Sequence, residues 1–134
     1  MNATNGGFFK EVSNEQARAK IGAFGSQGSG KTTTLALLAI GLSKTYHNGA
    51  PVAMQDTENG SDYLKPIFDA EGVKLMVRKS GAFSDMIPGL REAEKISCCV
   101  FLMDSITHTW REIADAYCAR KAEAYLKDSG KVPA

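Results

Sequence analysis

Gly25-Ser26-Gln27-Gly28-Ser29-Gly30-Lys31-Thr32 decides how the rest of the chain is read. It spells G-x-x-x-x-G-K-T, a phosphate-binding pattern in which each residue type has a task. Glycines at its first, fourth and sixth positions let the backbone curl so that successive N–H groups point inward at phosphate oxygens. A helix entered through Thr33 adds the unpaired N–H groups and partial positive charge of its N-terminus. The Lys31 ammonium is the group to reach the β- and γ-phosphates. The Thr32 hydroxyl is the group to ligate the Mg²⁺ that travels with the nucleotide. Eight such residues in isolation also describe a Gly/Ser-rich turn, so the flanks matter. Ile21-Gly22-Ala23-Phe24 before them suits a short buried strand. Residues 33–44 after them read as a helix, with Leu35, Leu37, Leu38, Ile40 and Leu42 supplying apolar faces. Strand, loop and helix in that order are the context the chemistry requires. The expected nucleotide-binding set is Gly25, Ser26, Gln27, Gly28, Ser29, Gly30, Lys31, Thr32 and Thr33.

Composition sets the frame. A chain of 134 residues, 43% hydrophobic and 23% charged, has the material for one globular domain with a real core. A formal net charge of +1 gives no argument for a polyanionic partner. No stretch approaches the roughly 18 consecutive apolar residues of a membrane span. The polar opening Asn2-Ala3-Thr4-Asn5-Gly6-Gly7 lacks the layout of a secretory signal, so a cytoplasmic protein without membrane partners is expected. Three cysteines, Cys98, Cys99 and Cys118, show no C-x-x-C spacing and read as small buried hydrophobes.

The rest of the chain alternates strand and helix patterns. Residues 1–15 read as a flexible lead-in and 16–134 as one nucleotide-binding domain. Residues 51–56 suit a second strand, followed by the polar loop Asp56-Thr57-Glu58-Asn59-Gly60-Ser61. Ser61 is placed to cap a helix over 62–71, with Leu64, Ile67 and Phe68 on one face and Pro66 near its first turn. Residues 73–78 suit a third strand at a sheet edge. Ser84 is placed to cap a helix reaching Lys95, with Pro88 in its first turn. Residues 96–104 form the longest apolar run and predict a central parallel strand, buried on both faces. A long helix over 107–127 follows, with Trp110, Ile113, Ala114 and Tyr117 on one side. Such alternation predicts an α/β fold: three layers, α/β/α, around a mostly parallel sheet.

Two acids complete the candidate site. Asp104 ends the apolar strand, and the carboxyl end of a central parallel strand faces the ligand crevice. There an aspartate is suited to hold Mg²⁺; the plainer alternative is a helix cap. Glu58 ends the second strand, where a carboxylate can polarise the water that attacks a γ-phosphate, or can simply be a solvated loop acid. His108 suits a polar helix start better than a phosphate ligand. Trp110 suits a core anchor better than a base-stacking platform. The cations Lys10, Arg18, Lys20, Arg120, Lys121, Lys127 and Lys131 are interleaved with acids and read as solvated surface.

The glycine-rich loop, a strand ending in Asp56-Thr57-Glu58-Asn59-Gly60 and a strand ending in Met103-Asp104-Ser105 together resemble the RecA-like P-loop ATPases. The likeness spans about residues 20–112. It implies that Lys31 and Thr32 are the Walker A pair, that Asp104 is the Walker B aspartate and that Glu58 activates the attacking water. It also implies ATP and Mg²⁺ as ligands, a homo-oligomer with nucleotide at subunit interfaces, and work on DNA, single-stranded DNA among the candidates. Asp104-Ser105-Ile106-Thr107-His108-Thr109-Trp110 is most similar to phage-encoded ATPases of the recombination and single-strand-annealing type. The cell would then be a bacterium or an infected host. In that family a further strand follows the Walker B strand and inserts between it and the P-loop strand. No apolar run remains after residue 127 for it, so an incomplete core, truncated on its C-terminal side, is expected. Two other functions stay open on the residues alone: a nucleoside or small-molecule kinase, which would need an arginine-rich lid, and a switch domain that binds nucleotide without turnover.

Overall fold

The computed structural model describes residues 18–130. The expected lead-in over 1–15 and the tail over 131–134 lie outside them. Among the described residues the chain is α/β, with three parallel strands and four α-helices. Helix α1 spans Lys31–Tyr46, strand β1 Val52–Asp56, helix α2 Ser61–Ala70 and strand β2 Leu75–Lys79. A short 3-10 turn, Phe83–Asp85, leads into helix α3, Met86–Lys95. Strand β3, Val100–Asp104, and helix α4, Ile106–Ser129, complete the order.

The strands lie in the order β2-β1-β3, and both pairings are parallel. Register sets Val52 opposite Leu75 and Val100, and Asp56 opposite Lys79 and Asp104. Alternation along β1 then sorts its side chains to two faces. Val52 and Met54 meet Ala36, Ala39 and Ile40 of α1 and Leu64 and Phe68 of α2 in the main core. Ala53 and Gln55 face α3 on the side of Gly89. A Cβ there would stand 3.8 Å from Gln55 Oε1 and 3.8 Å from the Phe101 ring. Helices therefore cover both sheet faces, as the alternating pattern predicts.

Several expectations need correction. Strand β1, not β3, is central. All five β1 residues are buried, whereas those of β3 are half-buried, and β3 pairs on one side only among the described residues. Its strand also starts at Val100; Ile96 and Ser97 close α3 instead, with Ser97 at φ 59°. Ile21–Phe24 forms no strand: Ile21 is 59% and Phe24 98% exposed. A strand is held by a ladder partner and a covering layer, and no described strand offers these residues either one.

Trp110 is no core anchor, being 66% exposed, and Tyr117 on the same helix is exposed too. Helix α4 meets mainly the 3-10 turn, where Glu112 accepts the Phe83 N–H at 2.7 Å, so its aromatic side has no described surface to cover it. The cysteines are not fully buried either: Cys98 and Cys99 are half-buried and Cys118 is exposed. Burial acts first to raise the Cys98 thiol pKa, and the adjacent Cys99 adds to it. Among the described residues, no helix is long and apolar enough to cross a membrane.

Candidate functional site

The glycine loop sits at the start of α1, at the end of the sheet where β1 and β3 finish. Its backbone follows the glycines. Gly28 and Gly30 adopt φ of 76° and 84°, left-handed values that a side chain resists. At Gly25 a Cβ would stand 2.9 Å from Ser29 Oγ, so that hydroxyl would have to turn aside. Ser29 N–H donates to the Ser26 carbonyl at 3.3 Å, closing a turn. The Thr34 N–H bonds the Gly30 carbonyl at 2.9 Å and begins the helix. Amides before that point carry no intrahelical partner, which leaves donors for an anion. The Lys31 ammonium folds back over the loop and donates to the Ser26 carbonyl at 2.7 Å. No acid neutralises it among the described residues, so its charge stays available over the loop.

The last loop residue reaches the sheet. Thr32 Oγ1 donates to Asp104 Oδ2 at 2.5 Å, across 72 residues of sequence. With its proton on the carboxylate, the hydroxyl keeps its lone pairs for a cation. Two hard oxygens side by side suit Mg²⁺, which takes one or two protein ligands and fills its octahedron with water and phosphate oxygens. Among the described residues no three His, Cys, Asp or Glu side chains gather into a metal cage, and Mg²⁺ beside a nucleotide needs none. Gly60 borders this pair: a Cβ on it would stand 3.8 Å from Asp104 Oδ2 and 3.9 Å from Thr32 Cγ2.

Glu58 reaches Ser105, the residue after Asp104. Ser105 Oγ donates to Glu58 Oε1 at 2.7 Å, and His108 Nε2 lies 3.6 Å from the same oxygen. That second separation is beyond a hydrogen bond and becomes an ion pair only with protonated histidine. The structure thus brings Lys31, Thr32, Asp104 and Glu58 to one end of the sheet. Thr32 and Asp104 touch directly, and Glu58 joins them through Ser105.

Sequence reasoning missed Asp56. It is 2% exposed, and its carboxylate accepts three backbone N–H groups. Oδ1 takes those of Glu58 and Gly60, both at 3.1 Å, and Oδ2 takes that of Ser61 at 2.9 Å. Burial alone would raise its pKa, but the Ser61, Glu58 and Gly60 donors outweigh burial and hold it below the ordinary carboxylate value. Ser61 is accordingly not the cap expected of it. It is the first residue of α2, Gly60 precedes it without a side-chain cap, and Asp56 serves the helix's first amide from the strand end. The available signal was an aspartate at a strand tip followed four residues later by Gly60-Ser61, a spacing that lets a side chain reach forward to a helix start.

A cavity of about 120 Å³ lies elsewhere, between α3 and the β1–β2 face, with Ala53, Gln55, Met76 and Phe101 in its wall and no residue of the glycine loop. Neither a protein-family model, nor a curated protein, nor a solved structure matches the chain.

Proposed function

We propose that this chain is the nucleotide-binding module of a RecA-like P-loop ATPase that hydrolyses ATP with Mg²⁺. One observation carries the reading. Thr32, the last residue of the G-x-x-x-x-G-K-T loop, is hydrogen-bonded to Asp104 at the tip of a parallel strand, and a second acid, Glu58, stands one residue's reach away. A chance Gly/Ser-rich turn has no reason to aim its hydroxyl at a strand-tip carboxylate with another acid beside it.

The roles follow from the groups. Loop amides and the Lys31 ammonium hold the phosphates and stabilise charge on the γ-phosphoryl as it leaves. Thr32 and Asp104 would hold Mg²⁺, which would supply neutralisation of phosphate charge. Glu58 takes a proton from the attacking water. Among the described residues the outer edge of β3 and the Ile21–Phe24 segment carry no strand partner, which is compatible with a RecA-like order, in which another strand separates the two. The likeness of residues 104–110 to phage ATPases extends the proposal to a DNA transaction and rests on sequence alone.

The test is ATP binding and phosphate release by the full chain with Mg²⁺. Lys31→Ala is expected to abolish binding and turnover while the melting temperature stays within a few degrees, because the lysine contributes one loop hydrogen bond and little packing. Glu58→Gln is expected to keep ATP affinity and to lose roughly 100-fold or more in turnover, the scale of a general base. Retained ATP affinity in Lys31→Ala would refute the phosphate-binding role of the loop. Transfer of phosphate to a nucleoside rather than to water would favour a kinase.

A further inference from the structure

Pairing of β1 with β3 does not stop at the last ladder residues. Beyond Asp56 and Asp104 the two chains stay joined by side chains. The Thr57 N–H donates to the Asp104 carbonyl at 2.7 Å, and Thr57 Oγ1 donates to the same carbonyl at 3.0 Å. In return the Ser105 N–H donates to Thr57 Oγ1 at 2.8 Å, and Ser105 Oγ donates to Glu58 Oε1 at 2.7 Å. Two hydroxyls thus tie the residue before Glu58 and the residue after Asp104 into one unit.

We propose that Ser105 and Thr57 are positioning residues that hold the Glu58 carboxylate at a fixed place relative to the Thr32–Asp104 pair. The inference rests on the ATPase reading above. Glu58 is exposed, and an exposed glutamate with three rotatable bonds samples many rotamers. A hydroxyl on Oε1 selects one of them. Oε2 accepts no hydrogen bond from the described residues, which leaves it as the oxygen to take a proton from water. Thr57 acts one step earlier, by pinning the backbone from which Glu58 springs. A base displaced by about 1 Å loses up to roughly 100-fold in rate while substrate binding is untouched.

Steady-state ATP hydrolysis by the full chain, with ATP affinity measured separately, decides the matter. Ser105→Ala is expected to lower kcat roughly tenfold or more with ATP affinity and melting temperature unchanged, and Ser105→Thr, which restores a hydroxyl, to recover most of the rate. Thr57→Val is expected to lower kcat in the same way, and Thr57→Ser to recover it. Combined with Glu58→Gln, Ser105→Ala should cost nothing further, since its hydroxyl then has no base to place. Wild-type kcat in Ser105→Ala would overturn the proposal, as would equal further loss in the Glu58→Gln background or failure of Ser105→Thr to recover the rate. If the wild-type chain binds ATP but shows no turnover, the ATPase reading itself falls, and this inference with it.

Discussion

Asp56→Asn tests whether one buried carboxylate shapes the loop that carries Glu58. The substitution keeps size and one acceptor. Asparagine Oδ1 can still serve the Glu58 and Gly60 amides, both held by Asp56 Oδ1 at 3.1 Å. Its NH₂ group then faces the Ser61 N–H, which Asp56 Oδ2 accepts at 2.9 Å, and two donors oppose each other. Ser61 is buried, so its amide cannot turn to water. Leaving one buried donor unpaired costs about 1–3 kcal/mol, and weakening two charge-assisted bonds to neutral ones adds about 1 kcal/mol. A total of about 2–4 kcal/mol is expected, or on the order of 10 °C in melting temperature for a domain of this size. Thermal unfolding followed by circular dichroism measures it. Asp56→Ala should cost more than Asp56→Asn, because it removes the acceptor of all three amides and not of one. An Asp56→Asn protein that melts within 2 °C of wild type would refute the capping role.

Two further outcomes follow from the same fold. Because hydrogen bonds hold the folded Asp56 pKa below its unfolded value, its contribution is complete above the ordinary carboxylate pKa and is lost as pH falls through the depressed folded value. The stability gap between wild type and Asp56→Ala should therefore narrow on acidification below about pH 4, the ordinary carboxylate range, and urea unfolding at several pH values reads it directly; a gap that widens there has the wrong sign. Gly89→Ala should stabilise the fold by about 0.5–1 kcal/mol, since a helix-interior glycine is replaced. The new Cβ meets its nearest neighbours at 3.8 Å, an ordinary contact, so the urea midpoint should rise; a fall would show that α3 cannot keep its distance from Gln55 and Phe101.

The loop, the helix after it and the acids at two strand tips were legible because each announces itself within a few residues. Glycine at positive φ, a lysine–threonine pair opening an apolar helix and an aspartate closing an apolar run are local signals. The central strand was not legible. Residues 96–104 are the more apolar run, yet β1, with Gln55 and Asp56, is the fully buried strand. Polar side chains there find partners that composition does not reveal, although Gln55 Oε1 stays buried without one among the described residues. Gln55 Nε2 donates to the Ser80 and Ala82 carbonyls at 3.2 and 3.4 Å, and Asp56 gathers three amides. Trp110 and Ile21–Phe24 misled for the opposite reason. An apolar residue says that burial would be favourable, not that a neighbouring surface is there to bury it.

The pairing of Asp56 with Asp104 gives the fold a built-in check on its own assembly. Side chains alternate across a sheet, so sliding β3 by a single residue along β1 would send Asp104 to the side of α3, away from the Thr32 hydroxyl, and turn Met103 toward α1. Misassembly of this kind would part the Asp104 carboxylate from the Thr32 hydroxyl and break the hydrogen bond that joins helix α1 to the strand tip.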